Sequence, residues 1–296
     1  MTRPGVMTAY INPQTSEQFR NVAEYTLANG EPAINVACIF AANYASSELP
    51  YLRAENNNPP TTNPFNPNIQ QILSDGSVQY LQQKGVKVLL TISNGWSQVG
   101  WSEFDSETDA TNFAQYLKDE VVDRYGLDGI DIDDEYSQGT PNAVSLAMVT
   151  TLMKQIMPDT MITKALWTDY QYFQSNWNGK TLAGNLTCGW EMGYGGSPQA
   201  RLLPYTEFGP GNSLTPGQMS LGFWASQPPV TPDQDVAWLL NNSCVGAMIF
   251  AFEEQSNIDL MGQIVTDWYG PGNWNLPGIV GSQPQPERHA EQCSKA

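Results

Sequence analysis

Histidine is nearly missing from this sequence: the single residue, His289, sits in a polar C-terminal stretch, QPQPERHAEQCSKA. A Ser-His-Asp or Cys-His nucleophile, a histidine-rich metal site and a histidine general base are therefore excluded. Acid–base chemistry must fall to carboxylates or tyrosines. Cysteine is scarce too. Cys38, Cys188, Cys244 and Cys293 are widely spaced and form no CxxC pair, which argues against zinc of the paired-cysteine kind. Cys38 lies in the apolar run NVACIF and reads as a small core residue. Reduced thiols are the simpler reading, with a Cys188–Cys244 bridge as the alternative. Basic residues are also few, 13 against 30 acidic ones, for a formal charge of −17. Nucleic acid and anionic membranes demand concentrated positive charge, so neither is an expected partner, whereas neutral, hydroxyl-rich ligands are compatible. No apolar run approaches the ~20 residues of a bilayer span. The opening MTRPGVMTAYINP holds no apolar segment of signal-peptide length. As written the chain reads as cytoplasmic, although a secreted protein stripped of its signal would look the same.

What is present is alternation. Short apolar runs at 6–11, 34–40, 86–92, 127–133, 161–166, 186–192, 218–224 and 245–251 read as strands. Helical patterns fall between them at 15–28, 66–84, 106–124, 142–156, 231–241 and 258–268. The stretches after the fifth and sixth strands, 168–180 and 197–212, read as short or irregular helices. Eight strands alternating with helices imply parallel pairing through right-handed crossovers, and eight such units close into a (β/α)8 barrel. A doubly wound open sheet is the alternative, but no Gly-rich phosphate loop follows the first strand. The chain is expected to be one barrel domain over 1–270, with a tail at 271–296 where periodicity is lost. The Asn- and Pro-rich connection 41–65 follows the second strand, so it is expected over the C-terminal face of the barrel, shaping a groove. A disordered insertion is its plainer reading.

The strongest chemical signal is LDGIDIDDEY, residues 127–136, with five carboxylates in an otherwise apolar strand. Side chains alternate along a strand, so Asp131, Asp133 and Glu135 share one face while Ile130 and Ile132 take the other. The three acids should point into the barrel, climbing roughly 6–7 Å per pair toward its mouth. Burial and like-charge repulsion would keep at least one protonated near neutral pH. Glu135, outermost, is the natural proton donor; Asp133 could share a proton with Asp131 and accept a hydrogen bond from a ligand. The rival is a calcium or magnesium site. Such sites gather oxygens from a flexible loop, whereas here a strand holds them in line, so neither metal nor cofactor is expected.

The pattern Asp128-Gly129-x-Asp131-x-Asp133-x-Glu135 resembles the active-site motif of glycoside hydrolase family 18, which includes chitinases and endo-β-N-acetylglucosaminidases. YGLDGIDIDDEY, together with YTLANG (25–30), VACIFAAN (36–43) and GVKVLL (85–90), is similar to endoglycosidase H-type members, convincingly over 5–135 and more loosely to about 270. The resemblance implies substrate-assisted catalysis, in which the substrate's 2-acetamido oxygen is the nucleophile. It assigns Glu135 as acid and base, Asp133 as the group holding the acetamido N–H, and Asp131 as the residue that tunes Asp133. It implies a tyrosine on the sixth strand, matched by Met192-Gly193-Tyr194. Tyr10 and Asn43 are expected pocket residues, and Glu191 stands where endoglycosidase H-type enzymes have Asn. Aromatics near strand ends (Phe40, Trp96, Trp101, Trp167, Trp190, Trp224, Phe250) could stack on sugars, though most such rings are simply core. Phe250 stands where many chitinases have Trp.

The expected function is an endo-β-N-acetylglucosaminidase acting as a monomer on N-linked, high-mannose or hybrid glycans. A chitinase and an inactive sugar-binding lectin are the alternatives. Glu135, the acid that lectins on this scaffold lose, is present. Sequons occur at Asn185 and Asn241, the first inside a candidate strand.

Overall fold

The computed structural model describes residues 5–54, 64–94, 99–135, 138–227 and 231–276. Eight strands line up as the alternation predicts: β1 Val6–Ile11, β2 Val36–Tyr44, β3 Lys87–Ser93 and β4 Gly129–Asp133. β5 Met161–Leu166, β6 Cys188–Glu191, β7 Met219–Phe223 and β8 Gly246–Ile249 follow. Each pairs in parallel with the next, and β1 pairs with both β2 and β8, so the sheet closes into a TIM barrel. Period-2 alternation divides the core. Cys38, Leu89, Cys188, Trp190 and Met248 fill the barrel lumen, while Ile39, Leu90, Ile130, Ile132 and Ile249 pack outward against the helices.

The helices depart from expectation where the backbone is punctuated. The pattern at 66–84 breaks into Pro67–Ser74 and Ser77–Gln83, because Gly76 turns the chain with a φ of +85°. Asp75 then accepts the Ser77 N–H at 3.0 Å, covering a donor at the start of the second helix. The pattern at 15–28 shortens to Ser16–Arg20, capped by Thr15, followed by a 3-10 turn over Asn21–Glu24. After β5 the chain makes a 3-10 turn, a small antiparallel pair (Asn176–Trp177 with Lys180–Thr181) and a single helical turn, Leu182–Asn185. After β6 come Pro198–Leu202 and Leu203–Thr206. Both connections are as irregular as their sequence suggests.

Part of the 41–65 connection is strand. β2 runs on to Tyr44, and Leu52–Arg53 pairs antiparallel with its end. Residues 55–63 lie outside the described residues, as do Trp96, His289 and Cys293. The start of the expected tail is docked: Trp274 stacks on Tyr25 with ring centroids 5.0 Å apart. Asn275 and Thr26 exchange backbone hydrogen bonds at 2.9 and 3.3 Å. Cys188 is a buried free thiol, so the alternative bridge to Cys244 is not formed. The Asn185 amide is buried and donates to Thr150 and Thr151, which leaves its sequon inaccessible.

Candidate active site

β4 carries the site, and Gly129 is where it begins. A Cβ there would fall 2.4 Å from the Met161 carbonyl, so only glycine lets β4 and β5 approach at this point. Just below, Asp128 faces away from the lumen and is satisfied by Lys87 at 2.7 Å, Gln82 at 2.8 Å and the Val88 N–H at 3.0 Å.

Asp131 lies fully buried inside the barrel. Its Oδ2 accepts from the Tyr10 hydroxyl at 2.5 Å and the Thr91 hydroxyl at 2.9 Å. Its Oδ1 accepts from Thr163 at 2.6 Å and from the Trp190 indole at 3.0 Å. Burial raises its pKa, and the four donors oppose that rise by favouring the anion. Parallel register supplies two of them directly, since Thr91, Asp131 and Thr163 are successive cross-strand partners.

One layer up, Asp133 is also buried, and its Oδ1 has no hydrogen-bond partner among the described residues. Its carboxyl shares a hydrogen bond with that of Glu135. Burial pushes its pKa well above the carboxylate range; Glu135 and Asp131 add to this by repulsion, and Lys164 opposes it. Glu135 is half-buried at the barrel mouth, its N–H donating to the Asp133 carbonyl at 3.2 Å. The two acids therefore form one proton-sharing pair with Asp131 beneath.

Tyr194 follows β6 with a φ of +53°. Burial, then the charges of Asp133 and Glu135, lift its phenol well above the usual value, so the hydroxyl keeps its proton and can donate. Its ring lies 5.8 Å from Trp224 and 6.0 Å from Phe250. Phe250 stands edge-on to Phe40 at 5.6 Å and to Trp224 at 5.5 Å, and Phe40 lies 6.2 Å from Tyr10. Strand ends from β1, β2, β6, β7 and β8 thus raise an aromatic wall beside the acids. Asn43 accepts from Ser93 at 2.6 Å, and Ser93 is the register partner of Asp133, which sets both at the level of the acid pair. Trp167, just past β5, is 44% exposed.

Other sequence candidates are placed elsewhere. Trp190 is fully buried beneath the pocket, where it serves Asp131 instead of an open sugar face. Trp101 is core, its indole bonded to the Ile92 carbonyl at 2.8 Å. Glu191 is corrected more sharply. Alternation along β6 turns it away from the lumen, and its carboxylate is occupied by Arg201 and by the Gly193 N–H at 2.8 Å.

Sequence reasoning missed Thr91, Thr163 and Lys164. The threonines were within reach, since aligning KVLLTIS and MITKAL on the acid strand puts both at the level of Asp131. Lys164, fully buried and 2.5 Å from Asp169, left no pattern to read.

Comparison with known proteins agrees with the motif. Residues 56–183 match the family described as the endo-β-N-acetylglucosaminidase EndoS TIM-barrel domain. An endo-β-N-acetylglucosaminidase of Flavobacterium sp. (strain SK1022) is 35% identical over 159 residues, covering 50% of this chain and 46% of that protein. Endo-β-N-acetylglucosaminidase F1 of Elizabethkingia meningoseptica is 33% identical over 155 residues, covering 48% and 43%. The chain thus matches less than half the length of these curated relatives. Among solved structures, Bacteroides thetaiotaomicron EndoBT-3987 with a Man5GlcNAc product superposes with a TM-score of 0.69 at 22% identity, covering 92% of this chain and 62% of that one. A chitinase of the same organism gives 0.61 at 12% identity, covering 91% and 98%. At such identities the superpositions speak for the fold.

Proposed function

We propose that this chain, a relative of the family 18 endo-β-N-acetylglucosaminidases, is a retaining glycoside hydrolase that cleaves the chitobiose core of N-linked glycans. The observation that carries the reading is the stack of Asp131, Asp133 and Glu135 on one strand face, with Tyr194 beside the upper two. Glu135 protonates the leaving glycosidic oxygen as the C1–O bond breaks. The 2-acetamido carbonyl oxygen attacks C1 from the opposite face and closes an oxazolinium ion. Asp133 holds the acetamido N–H and balances the positive charge, while Tyr194 donates to the acetamido oxygen and aims it. Glu135, now a carboxylate, takes a proton from water; the water oxygen bonds to C1, the ring opens, and the original configuration returns. The separation of roles follows the substrate-assisted exception to the two-carboxylate scheme. Asp131, held by four donors, stays beneath as the fixed carboxyl against which Asp133 is set.

High-mannose glycans are the proposed substrates. EndoBT-3987, whose barrel this one resembles, was solved with Man9GlcNAc2Asn and with Man5GlcNAc. The test is incubation with a high-mannose glycoprotein, with chitooligosaccharides in parallel and Glu135→Gln as control. Release of glycan leaving one N-acetylglucosamine on the protein, lost in the control, is expected. Chitin cleavage alone would make this a chitinase, and binding without cleavage a lectin.

A further inference from the structure

Trp167 is the one aromatic side chain among the described residues that lies exposed, with 44% of its surface open. A lone exposed ring means little by itself; its place gives it meaning. Parallel register pairs Asp131 with Thr163 and Ile132 with Lys164. Carried on to the ends of β4 and β5, the same register sets Ala165 level with Asp133 and Trp167 level with Glu135. Alternation puts these side chains on the lumen side, since Ala165 is also the partner of the lumen-filling Trp190. On the β6 side the ladder reaches the same height, where the Met192 N–H donates to the Leu166 carbonyl at 3.1 Å. The Trp167 ring therefore rises at the barrel mouth, one strand from the proposed acid.

Its position is also pinned. Thr168, with a φ of +51°, turns the chain directly after Trp167. Asp169 is then tied back onto β5. Its Oδ2 meets the buried Lys164 Nζ at 2.5 Å, and its Oδ1 accepts from the Tyr205 hydroxyl at 3.1 Å. Lys164 also donates to the Ala165 carbonyl at 2.8 Å. A buried ion pair adds little net stability, because desolvation offsets the attraction. What this pair does is close the turn that carries Trp167.

The aromatic residues at the mouth differ in what they touch. Phe40, Trp224 and Phe250, from β2, β7 and β8, pack edge-on into a wall, whereas no described ring packs on Trp167. A proton given by Glu135 goes to the oxygen that leaves with the departing sugar, so that sugar lies on the acid's own side of the cleft. Its apolar face calls for a ring there, and Trp167 is the ring that stands open. We propose that Trp167 is the platform for the leaving N-acetylglucosamine, the one that stays on the polypeptide, and that the Lys164–Asp169 pair holds the platform in place. The assignment rests on the glycosidase reading for its substrate. Stacking there adds affinity for the departing side alone and takes no part in the ring closure at C1.

The test separates the two sides of the cut. A high-mannose glycopeptide carries the leaving sugar; the preformed sugar oxazoline, hydrolysed at the same acids, does not. Trp167→Ala should raise KM for the glycopeptide about tenfold, the scale of one aromatic contact, and lose much less on the oxazoline. Trp167→Tyr, which keeps a ring, should recover most of the loss. Lys164→Met/Asp169→Asn removes both charges together, so neither is stranded, and should show the same one-sided loss with Trp167 still present. Equal losses on both substrates, or none on the glycopeptide, would overturn the proposal. A wild-type protein inactive on both substrates would sink the glycosidase reading instead. Titration with asparagine-linked N-acetylglucosamine then decides the platform alone: a shift of the Trp167 indole N–H signal keeps it, and an unmoved signal overturns it.

Discussion

Trp190 donates its indole N–H to Oδ1 of Asp131 at 3.0 Å, from β6 across the barrel lumen to β4. The bond explains a large aromatic side chain where sequence alone suggests a sugar platform. Its ring fills the lumen, and its one polar atom meets the deepest acid.

The first prediction follows from that saturated carboxylate. Tyr10→Phe removes one of the four donors and leaves Asp131 Oδ2 with Thr91 alone. Hydrogen bonds to charged groups contribute about 1.5–3 kcal/mol. On the proposed mechanism Asp131 acts through Asp133 and not on the sugar, so the loss should appear in kcat, about ten- to a hundredfold, with KM little changed. Trp190→Phe should behave alike. A purely raised KM in either variant would place these residues against the sugar instead.

The second prediction concerns Tyr194. Its hydroxyl sits among Asp133, Glu135 and a wall formed by Trp224 and Phe250. Tyr194→Phe keeps the wall and removes the donor, so substrate should still bind while kcat falls by about 10²-fold, the scale of losing one oriented donor at a reacting oxygen. Phe250→Ala opens the wall and should mainly raise KM. Steady-state kinetics on a high-mannose glycopeptide separates the two.

Glu191 and Arg201 form a buried pair behind β6, with Arg201 also donating to the Gly222 carbonyl at 2.7 Å. Arg201→Met strands a buried carboxylate and should destabilise the fold by about 3–5 kcal/mol. Glu191→Gln/Arg201→Met leaves no uncompensated charge and should recover most of that loss. Urea unfolding of the single and double variants measures the difference. Equal losses would show that Arg201 matters through packing, not through charge.

How much of this was legible in the sequence depends on whether the signal was local. The strands announced themselves because each alternates within itself, and β4 did so most clearly because Ile130 and Ile132 frame the acids. The helix break at Gly76 was less visible, since a single glycine in a helical pattern costs only about 1 kcal/mol and is often tolerated. Pairings across the barrel were harder. Arg201 reaches Glu191 from ten positions along the chain, and Lys164 finds Asp169 only because β5 ends in a turn with Thr168 at a φ of +51°. The docked Trp274 lies in a segment whose Gly, Pro and Asn content reads as tail, and its stack on Tyr25 and the Asn275–Thr26 backbone hydrogen bonds show otherwise.

That stack makes a further prediction. A Cβ on Gly262 would lie 2.7 Å from the Trp274 indole nitrogen, so the helix Gln255–Tyr269 keeps glycine where the ring crosses it. Gly262→Ala must push Trp274 aside and should cost about 1–3 kcal/mol, as overpacking typically does. Truncation after residue 270 should lower the melting temperature by a similar free energy, while truncation after 276 leaves the stack intact. If both truncations melt together with the full chain, Trp274 contributes nothing to the fold.

The last prediction concerns stability and pH. Glu253, beyond β8, accepts the Asn12 N–H at 3.0 Å, and burial lifts its pKa from 4.5 to about 7. Between those values the folded chain holds a proton on Glu253 that the unfolded chain has released. Stability is therefore fully present below about pH 4.5 and declines as pH rises toward 7, since the unfolded state binds fewer protons there. Glu103, lifted to about 7 by burial and by Asp134, adds to the same decline. Glu253→Gln cannot ionise yet still offers an oxygen to Asn12. Its unfolding free energy should fall less steeply than that of wild type across this window, so the variant gains on wild type by pH 8. Urea titrations at pH 4.5, 6 and 8 decide the matter: parallel slopes for the two proteins would mean that Glu253 ionises as freely folded as unfolded.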